Sequence, residues 1–407
     1  MESFLRQKQK PRQPTMAILT YADEKRLFRG NQENFIDLIQ AGEQQGVLVY
    51  VVTTQEIKLT GRTVPGYTYN FETETWEKGE LRMPHVIYNR IPYRKFELLP
   101  EVQQVIQTCM RHGQIRFFNP CFFNKWTLFE WLNKSKSTRA FIPVTQRLTS
   151  SADLENMLQQ YSTLYLKPVR GKAGLGIMKV SVIADKKLKL NRYQLSIQDK
   201  TKSHISRYND TQELWAQISV LVGARDYIMQ QGIALSSYKQ RPFDLRVLVQ
   251  KNSAAQWSII GIGARLAGKM SITTHVPCGG SIDDPVKLLA SAFGEQDSKK
   301  ILAQVKQAVL LIARQIERAS GSNLGEMSMD LGVDTLGQIW FFEANSKPMK
   351  FDEPEIRQKS LTNLIQYCIH LSRRTRKPTA GTPPSAVARR KPTIETAQKA
   401  RQAGDER

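Results

Sequence analysis

The chain has 407 residues, 41% apolar and 24% charged, a balance that builds folded cores over a length beyond one ordinary core. Its formal charge is +22; residues 373–407 carry +7 of it, so the remaining body is basic at +15 and favours polyanions such as nucleotides, acidic polymers, nucleic acid or an anionic membrane surface. Cys109, Cys121, Cys278 and Cys368 form no CxxC pair, and HExxH, a nucleophile elbow and any apolar run of membrane-spanning length are missing, which argues against zinc-finger, metallohydrolase, serine-hydrolase and membrane-spanning classes.

In chain order, residues 1–15 read as a flexible basic arm lacking the apolar stretch of a secretory signal, which makes the cytoplasm the expected compartment. Residues 16–21 predict a strand, 34–44 a helix and 47–53 a second strand, a β-α-β opening. Short strands are expected within 85–94 and at 115–118, and a boundary near 119–120 closes a first domain of residues 16–118. Helices are expected at 124–134 and 151–161, and a strand at 163–167 runs into the loop PVRGKAGLGI. Further strands are expected at 227–230, 244–250 and 257–264. Ile301, Leu302, Val305, Val309, Ile312 and Ile316 recur at helical spacing within 298–320, and Gly321 supplies a stop. A hairpin and a last helix at 360–371 complete a second domain of residues 119–372, and 373–407 read as a disordered basic tail.

The strongest chemical pattern lies in GEMSMDLGVDTLGQIWFFEANSKP, where Met327, Met329, Leu331 and Val333 alternate with Ser328, Asp330 and Gly332 as a period-two strand. A two-residue turn at 336–337 places Asp330 opposite Glu343, with Asn345 on the same face; a turn of another length breaks that register unless a bulge restores it. Two carboxylates about 5 Å apart across a strand pair repel unless a cation separates them, and an all-oxygen set with an amide suits Mg²⁺. A solvated acidic face has the same spacing, so spacing alone leaves both readings open. Upstream, Lys167 ends a strand just before Gly171, Gly174 and Gly176, an ammonium beside a loop of backbone N–H donors that covers phosphates or merely connects a hairpin. Neither GxxxxGK[ST] nor GxGxxG is present. In RPFDLRVLVQ, Asp244 and Arg246 share a face, which fits a structural ion pair. With Arg265 at the end of the next strand, it also fits cations that stabilise charge on a transferred phosphoryl group.

Taken in order, NKW, LYLKPVRGKAGLGI, IMQQGI, RPFDLRVLVQ, GARLAGKMSITTHVPCGGSI and the hairpin stretch above resemble the ATP-grasp superfamily, and within it the YheC/YheD-type endospore coat-associated proteins, over residues 119–349. The resemblance implies an α/β and α+β architecture, an ATP-grasp fold preceded by an α/β pre-ATP-grasp domain, with ATP and Mg²⁺ as cofactors. Lys125 and Lys167 would contact ATP phosphates, and the loop of Gly171, Gly174 and Gly176 would fold over them. Gln230, Gln231 and Gly232, in a hinge at 229–232, would line the adenine side. Arg246 and Arg265 would face the γ-phosphate and the substrate, and Asp330, Glu343 and Asn345 would hold magnesium. The implied activity is that of an ATP-dependent ligase, which phosphorylates a carboxylate and lets an amine or thiol attack the acyl-phosphate, associated with spore coat formation. The alternative is a non-catalytic coat assembly protein that keeps the fold. Arg90 and Arg94 read either as holders of an acidic substrate or as solvated surface side chains. Ser346-Lys347-Pro348-Met349 departs from the small residue, Pro and Gly that commonly follow the metal-binding Asn in amino-acid ligases of this fold. Nucleic-acid binding rests on charge alone, with no zinc finger, RNP1-like sequence or basic zipper behind it.

Overall fold

A computed structural model describes residues 13–171, 174–185, 190–199 and 201–373. The expected arm up to residue 12 and the expected tail from residue 374 lie outside them.

The first sheet is built from β1 (Thr15–Thr20), α1 (Gln32–Gln44), β2 (Leu48–Thr53), the hairpin β3 (Thr63–Asn70) and β4 (Thr75–Arg82), β5 (Val86–Asn89), α2 (Pro100–Arg111) and β6 (Arg116–Phe118). Its strands stand in the order β4-β3-β2-β1-β5-β6, with β1 parallel to both β2 and β5. The run TMAILT of β1 is buried throughout, as a parallel strand covered on both faces requires. Alternate side chains enter two cores: Met16 and Ile18 pack with Phe35, Leu38 and Ile39 of α1, while Ala17 and Leu19 pack with Val102, Ile106 and Cys109 of α2.

After α3 (Lys125–Asn133), the second sheet takes β7 (Thr145–Arg147), β8 (Thr163–Pro168), β9 (Met178–Asp185), β10 (Leu190–Asp199), β11 (Lys202–Tyr208) and β12 (Tyr227–Gln231), in the order β11-β10-β9-β8-β12-β7 with every pair antiparallel. Helices α4 (Ser151–Gln160) and α5 (Thr211–Val222) cover one face, where Leu164 and Leu166 of β8 meet Leu154, Met157, Leu214 and Ile218. Period two then turns Tyr165 and Lys167 to the other face.

The third sheet takes β13 (Arg241–Lys251), β14 (Trp257–Leu266), β15 (Ser281–Asp283), β16 (Glu326–Val333) and β17 (Ile339–Asn345), ordered β15-β14-β13-β16-β17. Leu245, Val247, Val249, Met327, Met329, Leu331 and Phe341 bury one face against α3 and α6 (Pro285–Ser320). Helix α6 starts earlier than the apolar spacing indicates. Asp284 caps it by accepting the Lys287 N–H at 2.7 Å, Gly294 interrupts it at φ 79°, and Gly321 ends it in the left-handed region at φ 61°. The last helix, α7 (Pro354–Arg373), is also longer than expected and returns to the first sheet through Leu364, Ile365 and Cys368.

Candidate functional site

The pleat that buries Met329, Leu331 and Leu245 under α6 turns Asp244, Arg246, Asp330 and Glu343 to the opposite face of the third sheet. Tyr165, Lys167 and Gln230 come from the second sheet. All but Arg246 line one cavity of about 390 Å³, with Lys125, Lys179, Gln231, Arg265, Thr274, His275 and Phe342. That is the size of a small-molecule site.

Asp330 lies opposite Glu343, but the turn is not the two-residue one expected. Asp334 and Gln338 close it, the Asp334 N–H donating to the Gln338 carbonyl at 3.0 Å, while Asp334 Oδ1 accepts from the N–H groups of Leu336 and Gln338 at 2.9 Å each. Gly337 takes the left-handed conformation at φ 83° that the longer turn needs. Continued without interruption, that ladder would set Phe342 across from Asp330. A bulge beside Asp330 restores the register. Its extra residue, Phe342, lines the cavity beside Glu343, with Lys167 Nζ 5.3 Å from its ring centre.

Charges converge on this face. Arg265 grips Asp244 with two hydrogen bonds, Nε to Oδ1 at 2.9 Å and Nη2 to Oδ2 at 2.6 Å, and reaches Asp330 Oδ2 at 2.9 Å. Burial disfavours the guanidinium, but Asp330 and Asp244 outweigh it and hold its pKa above the ordinary Arg value. Asp244 therefore pairs across the ladder with Arg265, its direct neighbour on β14, and not with Arg246 two residues along its own strand. Lys125 stands at the first position of α3, whose Asn124 cap accepts the Thr127 N–H at 3.3 Å, and it forms an ion pair with Glu343. Burial pushes the Glu343 carboxyl up; Lys125 overrides it and holds the group below the usual carboxylate range. Lys167 donates to Gln230 Oε1 at 2.5 Å, and burial followed by the charge of Lys125 pushes its pKa down to about 8. His275, 3.4 Å from Arg265 through Nδ1, has its pKa pushed down by burial and then by that guanidinium.

The remaining expected residues lie around the cavity rather than in its lining. Arg246 sits directly across from Asp330, its guanidinium 5.2 Å from the ring centre of Phe351 and its Nε buried with no hydrogen-bond partner among the described residues. Asn345 is exposed and donates Nδ2 to Glu343 Oε1 at 3.1 Å. Gly232 leaves β12 so close to Thr163 that any side chain would collide with it. Gly171, Gly174 and Gly176 lie in the hairpin connection between β8 and β9. A side chain at Gly174 would meet the His275 ring at 2.7 Å, so this loop rests against the one that carries His275.

Thr274, His275, Lys179 and Phe342 are cavity residues that sequence reasoning missed. Extending the β8 alternation beyond the glycine loop, where Met178 and Val180 are buried, would have exposed Lys179. His275 belongs to an irregular loop and carries no periodic signal. Arg90 and Arg94 are neither solvated nor free for substrate. Arg90 pairs with buried Glu326 at 3.3 Å and donates to the Pro348 carbonyl at 3.0 Å, and Arg94 donates to the Phe122 carbonyl at 3.3 Å. Lys347 is likewise buried, paired with Glu97 and donating to Asn89 Oδ1 at 3.0 Å.

Among the described residues no three His, Cys, Asp or Glu side chains cluster as a metal site, so a cation here would rest on two carboxylates and the Asn345 amide. The donor set fits a hard ion: Asp330 Oδ1 is buried with no hydrogen-bond partner, and such an orphaned acceptor calls for one.

A match to the family described as YheC/D like ATP-grasp covers residues 114–371. The endospore coat-associated protein YheD of Bacillus subtilis (strain 168) is 30% identical over 353 residues, spanning 85% of this chain and 76% of that protein. The endospore coat-associated protein YheC of the same organism is 21% identical over 347 residues, spanning 82% and 91%. In fold the chain is similar to the VanG D-Ala:D-Ser ligase from Enterococcus faecalis, with a TM-score of 0.51 and 12% identity over 88% of this chain and 99% of that one. No helix among the described residues is long and apolar enough to cross a membrane.

Proposed function

The chain belongs to the YheC/D-like ATP-grasp family, and from that premise we propose that it binds Mg-ATP in the cavity between its second and third sheets and ligates a carboxylate to an amine or thiol through an acyl-phosphate. The observation that carries this reading is the unsatisfied Asp330 Oδ1, held opposite Glu343 in a cavity that Lys125 and Lys167 also line. Residues 16–118 act as the pre-ATP-grasp domain and 119–372 as the ATP-grasp domain.

In this reading Lys125 and Lys167 bind phosphate oxygens, and Gln230 and Gln231 meet the base or ribose. Asp330, Glu343 and Asn345 hold magnesium, which when bound neutralises phosphate charge. Arg265 fixes the Asp330 carboxylate through Oδ2 and leaves Oδ1 available. Arg246, next to Asp330 with an unpartnered Nε, takes the substrate carboxylate. The relatives named as endospore coat-associated support a role in coat formation, and in this reading the protein acts in the mother-cell cytoplasm or in the spore coat itself.

Incubation with Mg-ATP, candidate carboxylates and amine or thiol acceptors should release ADP and phosphate, and Glu343→Ala should lower that release about 100-fold or more. Nucleotide binding without turnover would point to a coat assembly protein that keeps the fold. Equal behaviour of wild type and Glu343→Ala would reject the site.

A further inference from the structure

Beyond the cavity, the working face of the third sheet continues as a row of paired positions: Gly263 on β14, Arg246 on β13, Asp330 on β16 and Glu343 on β17. Gly263 is the one member without a side chain, and the space it leaves is taken. The Glu353 carboxylate lies there, so close that a methyl on Gly263 would collide with Oε1. Glu353 directly precedes α7, a common place for an acidic residue because helix N-termini attract negative charge. Its side chain nevertheless makes no cap: among the described residues neither Glu353 nor Arg246 has a side-chain hydrogen bond or ion pair, though both flank Gly263.

Unpartnered buried atoms stand on the same face, those of Asp330 and Arg246 already assigned above to the metal and the substrate carboxylate. Ser328, fully buried, and Asp330, 4% exposed, each leave a side-chain oxygen without a partner, and Arg246 leaves Nε. Leu248, Ile260, Phe351 and Ile356 close the far side with an apolar cluster, so an ion at this end is partly desolvated and its charged contacts are strengthened.

We propose that Glu353, placed over Gly263, is the recognition site for a protonated amine, so that the second substrate is an ammonium-bearing acceptor and not a thiol or a second carboxylate. The proposal rests on the ligase reading above and narrows it. Arg246 and Glu353 divide the work by charge: the guanidinium holds the carboxylate to be activated, and the Glu353 carboxylate holds the ammonium, which loses one proton to water before the neutral amine attacks the acyl-phosphate carbon and inorganic phosphate leaves with the second proton. This is a binding role, and its removal changes which acceptor binds rather than whether nucleotide does.

The test titrates n-butylamine, n-butanol and butyrate against the full chain at neutral pH by ligand-observed NMR, with and without Mg-ADP. Wild type and Glu353→Gln are compared, with thermal melting of both and the Mg-ADP affinity measured alongside. Butylamine should bind wild type about tenfold more tightly than butanol, and Glu353→Gln should reduce it to the level of butanol while butyrate binding, assigned to Arg246, and Mg-ADP affinity stay unchanged. Butylamine binding intact in Glu353→Gln, whatever its melting temperature, would overturn the proposal. Mg-ADP binding without selective amine binding sinks this inference and leaves the nucleotide reading standing. Selective amine binding without Mg-ADP binding overturns the ligase reading and leaves an amine site with no assigned reaction.

Discussion

Lys167 is an ammonium held beside another ammonium in a buried cavity, and its pKa of about 8 follows from burial first and Lys125 second. A bound polyanion favours the charged form, so the complex keeps a proton that the free protein loses as pH rises through about 8. The sign is fixed: affinity for Mg-ADP sits on its plateau below that pH and falls above it. Titration calorimetry from pH 6 to pH 9.5 should show this decline, and Lys167→Met should weaken binding by about 10- to 100-fold while flattening the profile, the loss of one charge-assisted contact. At this scale the sequence was legible where a side chain obeys a period. Asp330, Glu343 and Lys167 stand on the cavity side of strands whose other side is plainly apolar. His275 and Glu353 sit on irregular segments, where no repeat says which way a side chain points. Gly263 carries no sequence signal of its own, because its meaning lies in what occupies its empty space.

The hairpin of β16 and β17 shows how an element reaches an expected pairing through unexpected parts. Its turn is longer than two residues, and the bulge at Phe342 compensates. Deleting Phe342 should therefore be tolerated. The ladder would run on unbulged, with the carboxylate of Glu343 still across from Asp330. Magnesium-dependent nucleotide binding should persist, weakened only by the lost contact of the ring with Lys167, about 0.5–1 kcal/mol. Complete loss of binding in a folded deletion variant would show that the bulge itself shapes the site. Other elements gave no warning. In β4 most side chains are exposed, and β11 is similarly exposed, so neither carries the buried-exposed alternation that marks a half-buried strand. Both are held by ladder pairing with a neighbour, β4 on β3 and β11 on β10, and pairing leaves no trace in composition.

Across the whole described molecule, the first and third sheets are joined by buried polar contacts, which take up Arg90 in place of either alternative expected of it and take up Lys347 as well. Tyr88 and Arg90 meet Glu326, Asn119 accepts the Gly325 N–H at 2.7 Å, and Lys347 pairs with Glu97, both 3% exposed. The Ser-Lys-Pro-Met continuation after Asn345 thus puts its cation into the join between sheets and adds no charge to the cavity lining. Lys347→Met leaves Glu97 as an unpaired buried charge and should cost about 3–5 kcal/mol in denaturant unfolding. Adding Glu97→Gln should recover most of that, since Oε1 can still accept the Phe122 N–H. Fold class was legible at this scale because ordered strand and loop motifs survive in the sequence; the join was not, because its partners are more than 200 residues apart. The central claim, that Asp330 and Glu343 form the metal side of a nucleotide site, is tested most directly by calorimetric titration of ATP, with and without Mg²⁺, into wild type and Asp330→Asn/Glu343→Gln. Wild type should bind Mg-ATP, and the double variant should bind it about 100-fold more weakly while binding metal-free ATP no worse than wild type. Equal affinity of both proteins for Mg-ATP, or no binding by wild type, would contradict it.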